Sequence, residues 1–363
     1  MVLAFVLFVG LVVVHEWGHF IAARRNGVEV EEFGIGFPPK VWGKKIKTAN
    51  SKFLFSINLL PLGGFVKLKG ENDADRRPGT FGAATMKNKV KIMLAGVAMN
   101  LLVAILLFSA LAVIGMPKLV PNQFTIASDT TVTREIDIIT ANVVENSPAQ
   151  KAGIVQGDRL VSIADTKISR FSEVGELTEA NAGKTVPIVI ERGGSTQVVQ
   201  ASLNQTNDDG YLGVGTDTGD NAIQLQRSTW SAPIVGAGLS VQLTGLTFQG
   251  LGKVFSSLFH GDTKTASEQV TGPVGIFKIL ETGSQIGFSF VIMIIAIISL
   301  SLAIMNALPI PALDGGRLFV TLLFKGLKKP LTKEKEELIH GTGFVALIGL
   351  IILITIVDVK RFF

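Results

Sequence analysis

The sequence predicts a mainly α-helical, polytopic membrane protein with about four transmembrane helices, a membrane-associated β-hairpin and one inserted β-rich domain. Three observations predict it. Apolar runs at 2–23, 90–116, 287–308 and 338–357 each reach the roughly 20 residues that cross a hydrocarbon core of about 30 Å. Hydrophobic residues make up 47% of the 363 positions and charged residues 17%, a balance of membrane proteins rather than soluble ones. Between the second and third runs the composition turns to that of a strand-rich soluble domain.

The first run carries the chain's densest chemistry. Thirteen of its first fourteen residues are apolar, Gly10 excepted, and then comes V-V-V-H-E-W-G-H-F at 12–20. Ionisable side chains inside a membrane-length helix are costly, so they face a protein interior and act there. His15 and His19 are four apart and share one helix face. Two imidazoles so placed can hold one zinc ion, and Glu16 beside them can act as general base. A solvated polar face is the bland alternative, and the apolar flanks weigh against it.

The segment after this run is basic, with Arg24, Arg25, Lys40, Lys44, Lys45, Lys47, Arg76 and Arg77. A second basic connection, between the last two runs, holds Arg317, Lys325, Lys328, Lys329, Lys333 and Lys335. The positive-inside rule places both in the cytoplasm, and the middle region and both termini outside, although Lys360-Arg361 is itself basic. Topology thus accounts for the net charge of +5 better than nucleic-acid binding does. The first run has no basic n-region, against a cleaved signal peptide. Within the first connection, 52–69 reads as a hairpin. Phe53, Phe55, Ile57 and Leu59 alternate with Leu54, Ser56 and Asn58, Pro61-Leu62-Gly63-Gly64 turns, and 65–68 returns. An exposed edge there can pair with an extended substrate by strand addition, with Phe55, Ile57 and Asn58 the candidate contacts. An ordinary packed hairpin is the other reading.

In the second run Gly96, Asn100 and Ala104 are spaced by four. Gly96 and Ala104 read as helix-packing positions, while an intramembrane Asn100 needs a partner. The β-rich domain spans 117–206, with strands near 143–144, 159–163 and 185–190 and short helices at 147–153 and 173–182. A linker with membrane-surface helices is expected over 207–286. Residues 231–259 are apolar but rich in Gly, Ser, Thr and Gln, and are read as lying at the surface. A fifth span there would put the end of the 287–308 run on the wrong face. The core then comprises 1–116 and 287–363.

A catalytic zinc takes three protein ligands and keeps one open position. With no cysteine in the chain, thiolates are excluded. His260 and His340 are available, but Asp314 is the better candidate. It follows Pro309 and Pro311, which break the helix where freed backbone can line a cavity. A helix-capping aspartate is the alternative.

Taken together, H-E-W-G-H, Gly96-x-x-x-Asn100, the strand-rich insert, G-P-V-G-I at 272–276 and N-x-x-P-x-P-x-L-D-G-G from Asn306 follow in one order over nearly the whole chain. This order resembles the site-2 protease family, membrane-embedded zinc proteases, of the bacterial RseP type. The insert's N-S-P-A-Q-K-A-G-I-V-Q-G-D-R-L-V-S-I resembles a PDZ domain. The resemblance implies His15, His19 and Asp314 as Zn2+ ligands, Glu16 as base, Asn306 as a substrate contact and the hairpin beside the substrate path. It implies cleavage within transmembrane segments of single-span proteins, such as an anti-sigma factor or remnant signal peptide. The setting is the bacterial cytoplasmic membrane, with the zinc site near the cytoplasmic side and the PDZ-like domain outside, against the substrate's outer segment or chain ends. Two features depart from the family: its G-F-G-P is Gly36-Phe37-Pro38-Pro39 here, and there is room for one PDZ domain rather than two. A non-catalytic membrane PDZ scaffold that binds exported chain ends is the rival reading, and a transporter a more distant one.

Overall fold

The computed structural model describes residues 2–48, 51–136, 138–168, 171–192, 195–207, 210–216, 222–262, 270, 272, 274–276, 279 and 288–362. The chain divides into two compact units. One holds 1–116, 120–130 and 227–363, the other 117–119 and 131–226.

Helix α1 is Val2–Arg25. Strands β1 (Val30–Thr48) and β2 (Ser51–Leu68) follow, then helix α2 (Met86–Ile114). Thr85 caps α2, its hydroxyl accepting from the Asn88 N–H at 3.3 Å, and Gly115 ends it with its N–H on the Leu111 carbonyl at 2.8 Å. Gly18 lets α1 and α2 approach, since a Cβ there would lie 2.5 Å from the Ala95 carbonyl oxygen.

The hairpin is larger than the sequence indicates. The whole of 51–68 is one antiparallel partner of β1, and β1 residues pair twice: Phe33 opposes both Val66 and Phe55, and Ile35 both Gly64 and Ile57. Segments 53–59 and 65–68 therefore flank 30–35 instead of pairing with each other. The basic residues of β1 had hidden its strand character. Phe20 and Ala23 of α1 share a buried cluster with Val28, Val30, Phe33 and Leu68, which docks the hairpin on the first helix. Ring pairs Phe20–Phe53 at 4.9 Å and Phe33–Phe55 at 6.1 Å add directional contacts.

In the second unit, β3 (Thr131–Ile136), β4 (Ile138–Val143), helix α3 (Pro148–Lys151), β5 (Arg159–Ile163), β6 (Thr166–Lys167), helix α4 (Phe171–Ala180), β7 (Thr185–Arg192), β8 (Ser195–Ser202) and β9 (Val214–Thr216) follow in order. One sheet runs β9-β4-β5-β7-β8, with β6 against β5. Its alternating inward residues, among them Leu160, Ile163, Ile188 and Ile190, bury against Ile154, Val174 and Leu212. This unit extends past residue 206, to 226. Asp158 is 1% exposed and accepts from Arg192 through both carboxylate oxygens at 2.6 Å, and from the Val155 N–H at 2.9 Å. The Arg192 guanidinium holds its carboxyl below the usual carboxylate range. A depressed pKa stabilises the fold above the unfolded value of about 4 and loses that stabilisation as pH falls through the folded value. Acid melts of the wild type should therefore fall below about pH 4. Asp158→Asn should start several degrees lower and lose part of that dependence, as followed by thermal denaturation of the full chain.

The first unit continues, among the described residues, with the helices α5 (Ala232–Phe259), α6 (Phe288–Ala307), α7 (Asp314–Gly326) and α8 (Lys333–Phe362). Among the described residues, five helices are long and apolar enough to cross a membrane by length and composition: the four runs named above, and α5. Its polar composition is largely internalised. The hydroxyls of Ser240, Thr244 and Thr247 bond to carbonyls four residues back at 2.7–2.9 Å, and Gly236 packs against Ile105 and Ser109 of α2. A fifth membrane-length helix does not prevent Asp314 from meeting the α1 histidines. The link from α5 to α6, including Pro273 of G-P-V-G-I, lies mostly outside the described residues.

Candidate metal centre

The site is assembled by α1, α2 and the start of α7. His15 Nε2, His19 Nε2 and Asp314 Oδ2 form a triangle: His15 to His19 is 3.2 Å, His15 to Asp314 3.0 Å and His19 to Asp314 3.1 Å. Tetrahedral zinc with bonds of about 2.0–2.1 Å sets donors about 3.3 Å apart, so the three atoms nearly match one ion. Among the described residues this is the one group of three or more His, Asp or Glu side chains that could hold a metal.

The outward nitrogens are anchored. His19 Nδ1 donates to the Ile92 carbonyl of α2 at 2.8 Å, which leaves Nε2 without its proton and free to ligate. His15 Nδ1 lies 3.2 Å from the side-chain amide nitrogen of Asn100, while Asn100 Oδ1 is buried with no partner among the described residues. Amide oxygen and nitrogen are assigned from the hydrogen-bond network. Turning this amide over gives Oδ1 the His15 Nδ1–H and bares the second Nε2 as well. The orphaned oxygen is thus explained by a metal-ready pair.

Gly96 was read from sequence as a packing position. The structure gives it a sharper task, since a Cβ there would lie 2.5 Å from both His15 Nε2 and His19 Nε2. Glu16 turns toward the hairpin, where its carboxylate meets the backbone N–H of Val66 and its Cγ lies near Gly64. Gly64 and Val66 of the hairpin thus lie beside the glutamate. Of the three expected contacts, Phe55 packs against Phe33 and Trp42, and Asn58 is buried with its amide donating to the Ile35 and Gly36 carbonyls. Ile57 is exposed. Asn306, half-buried, donates to the Leu302 carbonyl at 3.0 Å. His260 is exposed and bonds within its own helix; His340 touches the Asp314 loop rather than the triangle.

A loop at 70–82 secures the helix that bears Asp314. Asp73 pairs with Lys89 of α2, and its N–H donates to Glu336 of α8 at 2.9 Å. Arg317 of α7 bonds the Glu71 carbonyl, lies 3.5 Å from Glu336 and stacks over Phe81 at 4.8 Å.

Such a donor set, held among membrane-length helices beside a spare carboxylate, suits metal-assisted hydrolysis, and the class it defines is the membrane metallopeptidases. Comparison with known proteins narrows this. The chain belongs to peptidase family M50, whose profile matches residues 3–350. The Clostridium perfringens protein CPE1693 is 32% identical over 360 residues, covering 99% of this chain and 98% of its own. Zinc metalloprotease RasP of Oceanobacillus iheyensis is 27% identical over 456 residues, covering 100% and 99%. Among solved structures, the PDZ domain of the SdrC-like protein Lmo2051 of Listeria monocytogenes matches 23% of this chain and 90% of that one, at 17% identity and a TM-score of 0.21, too low to assign a fold. The chain is a multi-pass membrane metalloprotease.

Proposed function

We propose that this protein is a zinc peptidase that cuts single-span membrane proteins within or beside their transmembrane segments. The observation that carries this reading is the 3.0–3.2 Å triangle of His15, His19 and Asp314 among membrane-length helices, beside Glu16. His15, His19 and Asp314 hold the ion, which when bound supplies Lewis-acid polarisation of a carbonyl and a water of lowered pKa. Glu16 accepts the proton of the attacking water and delivers it to the leaving amine. A substrate helix hides its carbonyls in its own hydrogen bonds, so it must open locally. The β2 edge at 64–66, beside Glu16, receives the opened strand by main-chain pairing. Asn306 contacts it, while Phe55, Ile57 and Asn58 lie on the segment across 30–35 and shape the hairpin.

With α5 lying against α2 without a full crossing, both basic connections fall on the cytoplasmic side, with the metal centre near it and the strand-rich unit outside. That unit is a PDZ-like domain, 117–206 with the added strand to 226, and it screens the substrate's outer segment or chain end. The test is cleavage of a single-span reporter by the purified protein in detergent. Cleavage should map to the hydrophobic segment, stop on treatment with a zinc chelator and return with added zinc. Cleavage that persists in metal-free protein would sink the reading.

A further inference from the structure

His340 is the one ionisable side chain of α8 between Glu337 and Asp358, inside an otherwise apolar run. Placing it there is costly without a task. Much of α8 presents apolar side chains outward, including Leu338, Phe344, Val345 and Leu353. One face of the helix does not. Gly343, one turn beyond His340, runs so close under the Asp314 loop that a Cβ would lie 2.4 Å from Pro311 Cβ. On that same face, His340 Nδ1 accepts the backbone N–H of Ala312 at 3.1 Å. An imidazole that accepts at Nδ1 carries its proton at Nε2 and is neutral.

Ala312 is the strained point of the loop. Its φ is +79°, a left-handed conformation that L side chains rarely adopt and that persists only where surroundings enforce it. Inside the loop, Ile310 N–H bonds to the Leu308 carbonyl and Leu313 N–H to the Ile310 carbonyl. Pro309 and Pro311 have no N–H to offer. The Ala312 N–H is thus the loop's hydrogen bond to α8, two residues before Asp314.

We propose that His340 is a positioning residue for the metal centre: by holding the Ala312 N–H it fixes the left-handed turn that carries Asp314 to the histidines. The proposal rests on Asp314 being a metal ligand. It assigns His340 no contact with substrate or metal.

The test measures the zinc dissociation constant of the full-length protein in detergent against a competing chelator. Wild type is compared with His340→Ala, His340→Gln, His340→Asn and Asp314→Ala, each checked for monodispersity and melting temperature. Asparagine presents its Oδ1 near the place of Nδ1, whereas glutamine presents its oxygen nearer Nε2. His340→Ala and His340→Gln should weaken zinc binding on the order of 10- to 100-fold, as loss of a supporting partner does, while His340→Asn stays close to wild type. If Asp314→Ala loses zinc but His340→Ala binds like wild type, the proposal is overturned. It is equally overturned if His340→Asn is as weak as His340→Ala, because ring bulk and not the acceptor would then matter. If Asp314→Ala itself binds zinc normally, the assignment of Asp314 fails and takes the role of His340 with it.

Discussion

Replacing Glu16 by glutamine should abolish cleavage while leaving the metal in place. The amide matches the carboxylate in shape but cannot take a proton from water, and loss of a general base costs about 10²- to 10⁴-fold. The upper end is expected here. The other carboxylate within reach, Asp314, is one of the three convergent donors, so as a ligand in the proposed site it is not free to take the proton. Metal content should not change, because Glu16 is not among the three convergent donors. Turnover of a single-span reporter and zinc stoichiometry on the same preparation check both halves. Full cleavage by Glu16→Gln would falsify the proposed base. Absence of cleavage in both proteins, with a substrate that relatives cut, would favour the scaffold reading. Loss of zinc in the variant would show instead that Glu16 is itself a ligand.

The sequence made the candidate site legible because its ionisable residues are close together and costly where they stand. His15, Glu16 and His19 lie within one helical turn and a half, in a setting where ionisable groups are rare, and Asp314 follows two helix-breaking prolines. Their meeting across about 300 residues could be anticipated from ligand number. What stayed hidden depended on neighbours. β1 was obscured because Lys40, Lys44, Lys45 and Lys47 stand among its apolar residues, and its double pairing with 53–59 and 65–68 is a property of the sheet rather than of any one segment. Residues 231–259 are placed at the membrane surface on topological grounds, and the structure forms there one helix of membrane length whose hydroxyls bond internally and whose Gly236 packs on α2. As a ligand, His340 ranks behind Asp314 on sequence alone. Its contact is to a backbone N–H, which no side-chain pattern encodes.

Gly96 shows the same limit from the other side, and it gives the second large prediction. A glycine four residues before Asn100 reads as helix packing, and a packing glycine tolerates alanine with a modest loss. The structure says otherwise, because the missing methyl would occupy the space of His15 and His19 Nε2, 2.5 Å from each. Neither ring can simply swing clear, since His19 Nδ1 is tied to Ile92 and His15 Nδ1 to Asn100. Gly96→Ala should therefore weaken zinc binding on the order of 100-fold, the upper range for a change just outside the ligands, and activity should fall with it. The better helix propensity of alanine, worth about 1 kcal/mol, offsets only part of the strain of displacing two anchored rings, so the metal-free melting temperature should fall modestly. A fall in zinc affinity far larger than that loss of stability, in a protein that stays folded and monodisperse, is a combination that general misfolding cannot produce. Gly10→Ala is the control, since a Cβ at Gly10 of α1 meets nothing within 4 Å, and it should bind zinc as wild type does. If Gly96→Ala also binds zinc as wild type does, the three donors do not share one ion at this place, and the site must be built from other atoms.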